Sequence, residues 1–132
     1  MSKSDYLENA ILNHQLGGPD YTRPPTVWVS LWTVSPADAG GGTEVVGGAY
    51  VRFPMTNNAT NWPAAVAGSK SNGTVITFAT PLAAWGVIVA FGIHDALSGG
   101  NLLRYGNLTT PKTIDIGDEV SFPIGDLTCT ED

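Results

Sequence analysis

The chain has 132 residues, enough for one domain with a single core, and a hydrophobic content of 42% excludes a disordered tail. Charged residues make up only 14%, while 16 glycines and 9 prolines favour short strands joined by turns over long helices. The net charge is −6, and the six basic residues (Lys3, Arg23, Arg52, Lys70, Arg104, Lys112) are scattered, so no basic patch is expected to bind nucleic acid. No apolar run approaches the roughly 18–20 residues of a membrane span, and the first ten residues contain no apolar stretch of signal-peptide type.

Ser4–Leu16 is the one convincing helix. Asp5 and Glu8 have the spacing of a capping box, and Leu7, Ala10, Ile11 and His14 fall on one narrow face. Gly17-Gly18-Pro19 ends it. A helix of about three turns is marginal alone, so the Leu7/Ile11/His14 face is expected to dock on the sheet or on another subunit. Asp20–Pro25 is a connector. Val27–Thr33 is a strong strand, with Val27, Val29 and Leu31 on one face and Trp28, Ser30 and Trp32 on the other. Ser35–Ala39 reads as one turn of helix, capped by Ser35 with Pro36 at its first position. Thr43–Val46 and Ala49–Phe53 read as short strands around Gly47-Gly48, and Val75–Phe78 as another. Asn57–Ser71 is irregular, with turn signals throughout.

Trp85–Asn107 dominates the second half. Val87–Asp95 is apolar on both faces, as expected of a strand covered on both sides in the middle of a sheet. Asp95–Asn101 has the glycines and small polar residues of a hairpin loop, and Leu102, Leu103 and Tyr105 resume the strand. Thr113–Ile116 and Glu119–Ile124 read as a hairpin around Gly117-Asp118, and Leu127–Thr130 as the last strand. The sum is an all-β antiparallel sandwich or jelly-roll-like domain of about eight strands with one short N-terminal α-helix. Residues 1–132 form a single domain, with a helical arm over 1–18 and a β core over 26–130.

Chemistry is sparse. His94-Asp95 has the form of a carboxylate-oriented imidazole, but metal-dependent hydrolysis needs further ligands and only His14 remains. His94 is therefore read as structural. No serine lies in a nucleophile-elbow context, and Gly40-Gly41-Gly42 lacks the lysine of a phosphate-binding loop. The expectation is a non-enzyme with no cofactor and no metal. Six of the twelve acids lie in the last eighteen residues, read as solvated turns first and as a face toward a basic partner second. Cys129 is the only cysteine. It reads as a small packed residue, with an intersubunit disulfide as the alternative. Trp28 and Trp32 read as core, subunit interface or sugar platform. The candidate interface residues are Leu7, Ile11, His14, Trp28 and Trp32, in a homodimer or homotrimer.

The segments SDYLENAILNH, TVWVSLWT, SPADAGGGTEVVGGAYVR and WGVIVAFGIHDALSGGNLLRYGNLTTPKTIDIGD, with a closing FPIGDL, resemble a family of short tailed-bacteriophage virion proteins. These are described as tail-fibre, minor tail or capsid decoration proteins. The resemblance covers nearly the whole chain and is weakest over Asn57–Ser71. It implies a structural subunit present in many copies, with no catalytic residues, made in the bacterial host cytoplasm and located on the virion. Because the chain lacks a coiled-coil or collagen-like shaft, capsid decoration is the first expectation, with the major capsid protein or other virion proteins as partners. A tail-fibre or minor tail protein contacting the host receptor is the alternative. A glycan-binding or glycan-active domain is third.

Overall fold

The strand Gly86–His94 runs through the middle of the fold, as its apolar faces predict. The computed structural model describes residues 1–131. Its elements in chain order are β1 (Ser2–Lys3), α1 (Asp5–Gln15), β2 (Thr26–Val34), β3 (Thr43–Glu44), β4 (Phe53–Thr56), β5 (Ser69–Ser71), β6 (Ile76–Thr77), β7 (Gly86–His94), β8 (Leu102–Ile114), β9 (Ser121–Phe122) and β10 (Thr128–Thr130). The main sheet has the order β1-β8-β7-β2-β3, with β4 also pairing β2. Two small antiparallel sheets, β5–β10 and β6–β9, complete an all-β sandwich-like domain.

Alternation along β2 and β7 divides the main sheet into two faces. Val27, Val29 and Leu31 share one with Phe91 and Ile93, across the register Val29↔Ile93 and Leu31↔Phe91. This face meets the small sheets through aromatic rings: Phe91 lies 5.9 Å from Phe122, and Phe122 6.4 Å from Phe78. Tyr50 meets Trp85 edge to face at 5.4 Å. Such rings contribute about 0.5–1.5 kcal/mol per pair beyond the area they bury. Asn72, buried beneath the small sheets, accepts from the Leu127 N–H and donates to the Thr74 and Pro123 carbonyls, each at 2.9 Å. Both of its side-chain donor hydrogens and its carbonyl oxygen are engaged, tying the end of β5 to Pro123 and Leu127.

Two irregularities in β8 aim its side chains. Ile88 pairs Lys112 but Ala90 pairs Asn107, so β8 bulges over Leu108–Pro111, where Pro111 has no N–H to give a ladder. Nearer the loop, Ile93 pairs Arg104 and His94 pairs Leu102, leaving Leu103 as the extra residue of a bulge. Leu103 enters the core while Leu102 packs near Gly92 on the other face.

Five local expectations are corrected. The helix N-cap is Ser4, not Asp5. Ser4 has extended backbone and its hydroxyl accepts from the Leu7 N–H, while its own N–H donates to the Leu103 carbonyl at 2.9 Å, so the cap also fastens the helix to β8. Ser35–Ala39 is not helical: Ala37 and Gly40 bridge across a tight turn. Ala49–Phe53 is not a strand, because Gly47, Gly48 and Ala49 all take positive φ and turn the chain before β4 begins at Phe53. Thr113–Ile116 and Glu119–Ile124 do not form a hairpin. Thr113 stays in β8 opposite Val87, and Phe122 pairs Ile76 instead. The irregular stretch Asn57–Ser71 contains β5 at its end. No described helix is long and apolar enough to cross a membrane.

Candidate functional site

Two regions concentrate polar and charged side chains against apolar surface. The first lies beneath the loop Asp95–Asn101. Arg52 forms a two-pronged ion pair with Glu44, Nε to Oε2 at 2.9 Å and Nη2 to Oε1 at 2.8 Å. Its Nη1 donates to the Ala96 and Gly99 carbonyls at 2.9 and 3.0 Å. One guanidinium thus ties the strand-edge acid to the loop, with the forked geometry that makes arginine–carboxylate pairs strong. Glu44 also accepts from the Tyr50 hydroxyl at 2.8 Å. Burial works against the Glu44 carboxylate, but the bonds from Arg52 and Tyr50 outweigh it and hold its pKa below the usual value. Within the loop, Asp95 accepts from the Asn101 backbone and side chain at 2.7 and 2.8 Å.

Next to this latch, Ser30 and His94 face each other across β2 and β7. His94 Nε2 lies 2.9 Å from Ser30 Oγ, and the Trp32 indole N–H donates to the same oxygen at 2.8 Å. The Trp32 and His94 rings are nearly parallel, 6.0 Å apart. Ser30 is fully buried and His94 is 4% exposed. Burial, aided by the Arg52 charge, pushes the imidazole down to about 4 despite Glu44 and Asp95 nearby, so His94 is neutral at pH 7. Gly92 keeps this cluster tight. A Cβ there would lie 2.8 Å from Ser30 Oγ and 3.0 Å from both Leu102 Cδ1 and Trp32 Nε1.

The second region is an open cavity of about 350 Å³ where α1, the Trp62 loop and the β5–β10 sheet meet the main sheet. Leu7, Ile11, Val27, Trp62, Ile93 and Leu103 form its apolar wall. Arg23, Lys70 and Arg104, half of the basic residues of the chain, line the same cavity. A smaller hollow of about 130 Å³ adjoins it, sharing Arg23, Asn57, Trp62 and Lys70. Glu131 is the one acid in the lining, and it is taken: it pairs with Lys3 at 2.7 Å and with Arg104. Those two partners hold its carboxyl below the usual value. Arg104 Nη1 is buried without a protein partner. Arg23 and Lys70 have no ion-pair partner among the described residues.

The five candidate interface residues separate into three places. Leu7 and Ile11 stand together in the cavity wall, Leu7 buried in the core and Ile11 partly so. Trp28 and Trp32 lie on the opposite sheet face. Trp32 is covered within the chain by Ser30 and His94, and Trp28 is half-buried between Pro54 and His94. His14 is exposed and accepts from the Tyr21 N–H at 3.2 Å, bracing the connector after the helix. Cys129 lines the cavity, half-buried, its thiol pKa raised by burial. The sequence reading missed Arg52, Glu44 and the cations of the cavity. Arg52 sits inside the apolar run Tyr50–Phe53, a placement that marks a charge needing a partner. Arg23, Lys70 and Arg104 left no such signal, because only the fold brings them together.

Comparison with known families decides the class. The family model described as podophage GP4 fiber I protein gp80 matches residues 2–130. The chain belongs to this family. It is a phage virion structural protein, as the sequence resemblance implied. No curated protein matches the chain.

Proposed function

We propose that this chain is a tail-fibre component of a podophage virion, acting as a non-enzymatic building block rather than as a capsid decoration protein. The family match over residues 2–130, to a fibre protein by description, carries this reading and favours the tail-fibre alternative over decoration, the first expectation from sequence. The partners are further copies of the chain, as a dimer or trimer, and neighbouring virion proteins, with neither nucleic acid nor membrane among them. Leu12 and Leu16, 54% and 79% exposed on the helical arm, supply apolar surface for such contacts. The non-enzymatic reading draws support from the Ser30–His94 pair. Its serine is fully buried, and the adjacent Asp95 bonds Asn101 rather than the imidazole. The pair is core, without a path for substrate.

Antibody raised against the chain and imaged on intact particles tests the location. Label confined to the tail is expected; label distributed over the head overturns the fibre reading. Turnover of host polysaccharide that disappears in Asp95→Asn overturns the non-enzymatic one.

A further inference from the structure

We propose that the cavity between α1, β2, β8 and the β5–β10 sheet binds a small organic carboxylate with an apolar body. Its volume of about 350 Å³ falls in the range of small-molecule sites, roughly 300–1,000 Å³, and its apolar lining with a few convergent polar groups is their common composition. The charge around it selects the ligand. In a chain of net charge −6, three of the six cations converge here. The only acid in the lining is already shared by Lys3 and Arg104. That leaves Arg23 and Lys70 without ion-pair partners among the described residues. A carboxylate in the cavity gives these two cations the charge-assisted bonds that no acid in the lining supplies.

The two parts of the ligand are assigned by the lining. The carboxylate faces Arg23 and Lys70, which the cavity shares with the adjoining polar hollow of Asn57. The apolar body lies among Leu7, Val27, Trp62, Ile93 and Leu103. A neutral molecule of the same shape fills the apolar wall but leaves the cations unanswered. An inorganic anion answers the cations but leaves the wall open. Only a molecule with both parts uses the whole site. The cavity and its charges belong to the single chain, wherever on the virion it sits.

Octanoate, octanol and acetate serve as probes in a two-dimensional nuclear magnetic resonance titration of the full chain. The expected result is saturable movement of the Trp62 indole and Leu103 amide signals with octanoate, and binding at least about tenfold weaker for octanol and for acetate. Lys70→Gln and Arg23→Gln, each checked for an unchanged fold from the remaining signals, are expected to weaken octanoate by a similar factor. Lys112→Gln, outside the cavity, is expected to leave it unchanged. Octanol binding as tightly as octanoate overturns the proposal, as does octanoate that produces no saturable shift at Trp62 or Leu103. Equal weakening by Lys112→Gln also overturns it, since that result shows attraction to net charge alone.

Discussion

Arg52 and Arg104 both reach toward a glutamate, and the fold uses them in opposite ways. Arg52 is 8% exposed and spends four hydrogen bonds within the chain, two on Glu44 and two on loop carbonyls. Arg104 bonds Glu131 through Nη2 and keeps a buried Nη1 without a partner among the described residues, beside a cavity lined by Arg23 and Lys70, which have no ion-pair partner among those residues. In the loop region Arg52 and Glu44 answer each other's charge, and the neutral His94 Nδ1 is the polar atom left buried without a partner among the described residues. The cavity region holds positive charge beyond what the fold consumes. Charge answered inside a chain stabilises a shape, while charge left over beside an apolar wall is available to something else.

The contrast can be broken first at the latch. Arg52→Met leaves the Glu44 carboxylate partly buried without its cation, and is expected to cost about 3–5 kcal/mol in urea unfolding. A loss below about 1 kcal/mol, the range of exposed ion pairs, would show the latch to be a surface contact.

Acid gives the next largest effect. His94 titrates near 4 in the folded chain against an ordinary value of 6.5. The unfolded chain therefore binds the extra proton between these values, and stability falls as pH drops from about 6.5 toward 4, by up to about 3 kcal/mol. Glu44, whose pKa is also held down in the fold, loses its contribution in the same direction as it protonates. Unfolding curves across this pH range should show the slope, and His94→Gln should flatten its upper part. No pH dependence above 5 would place the imidazole in solvent.

Gly100 sharpens the comparison at the loop itself. Its φ is +65°, and an added Cβ would lie 2.5 Å from Asp95 Oδ1 and 2.6 Å from Ala96 Cβ. Gly100→Ala is expected to destabilise by about 1–3 kcal/mol, with faster amide exchange over Ala96–Gly99. The smallest effects belong to the cavity: Lys70→Gln and Arg23→Gln should each change thermal stability by no more than about 0.5 kcal/mol. A larger destabilisation by either would mean that the cavity charges are structural after all, and the contrast with the latch would collapse.

Much of the frame was legible without coordinates, and the reason differs by element. The strand pattern of β2 and β7 shows in long runs whose faces alternate, and in β7 both faces are apolar, which placed it at the sheet centre. Its N-terminal end departs from this, since Val87 is 47% exposed beside the β8 bulge. The helix was visible in its periodicity, although Ser4 rather than Asp5 caps it, because only tertiary bonding to Leu102 and Leu103 chooses between adjacent capping residues. Strands of two or three residues, such as β6 and β9, have no period to read. Thr113–Ile124 therefore resembled a local hairpin, while Phe122 in fact pairs with Ile76.

The candidate regions follow the same division. The sequence by itself determined the class of fold, the central hairpin, the lack of a recognisable catalytic motif and the virion family, since these reside in contiguous segments. The tertiary structure alone decided that Arg52 joins Glu44 to the Asp95–Asn101 loop, that Ser30 meets His94, and that Arg23, Lys70 and Arg104 surround one apolar cavity. Local propensity and alternation act between neighbours in the chain. Charge pairing and cavity shape act between neighbours in space, which this topology draws from opposite ends of the sequence.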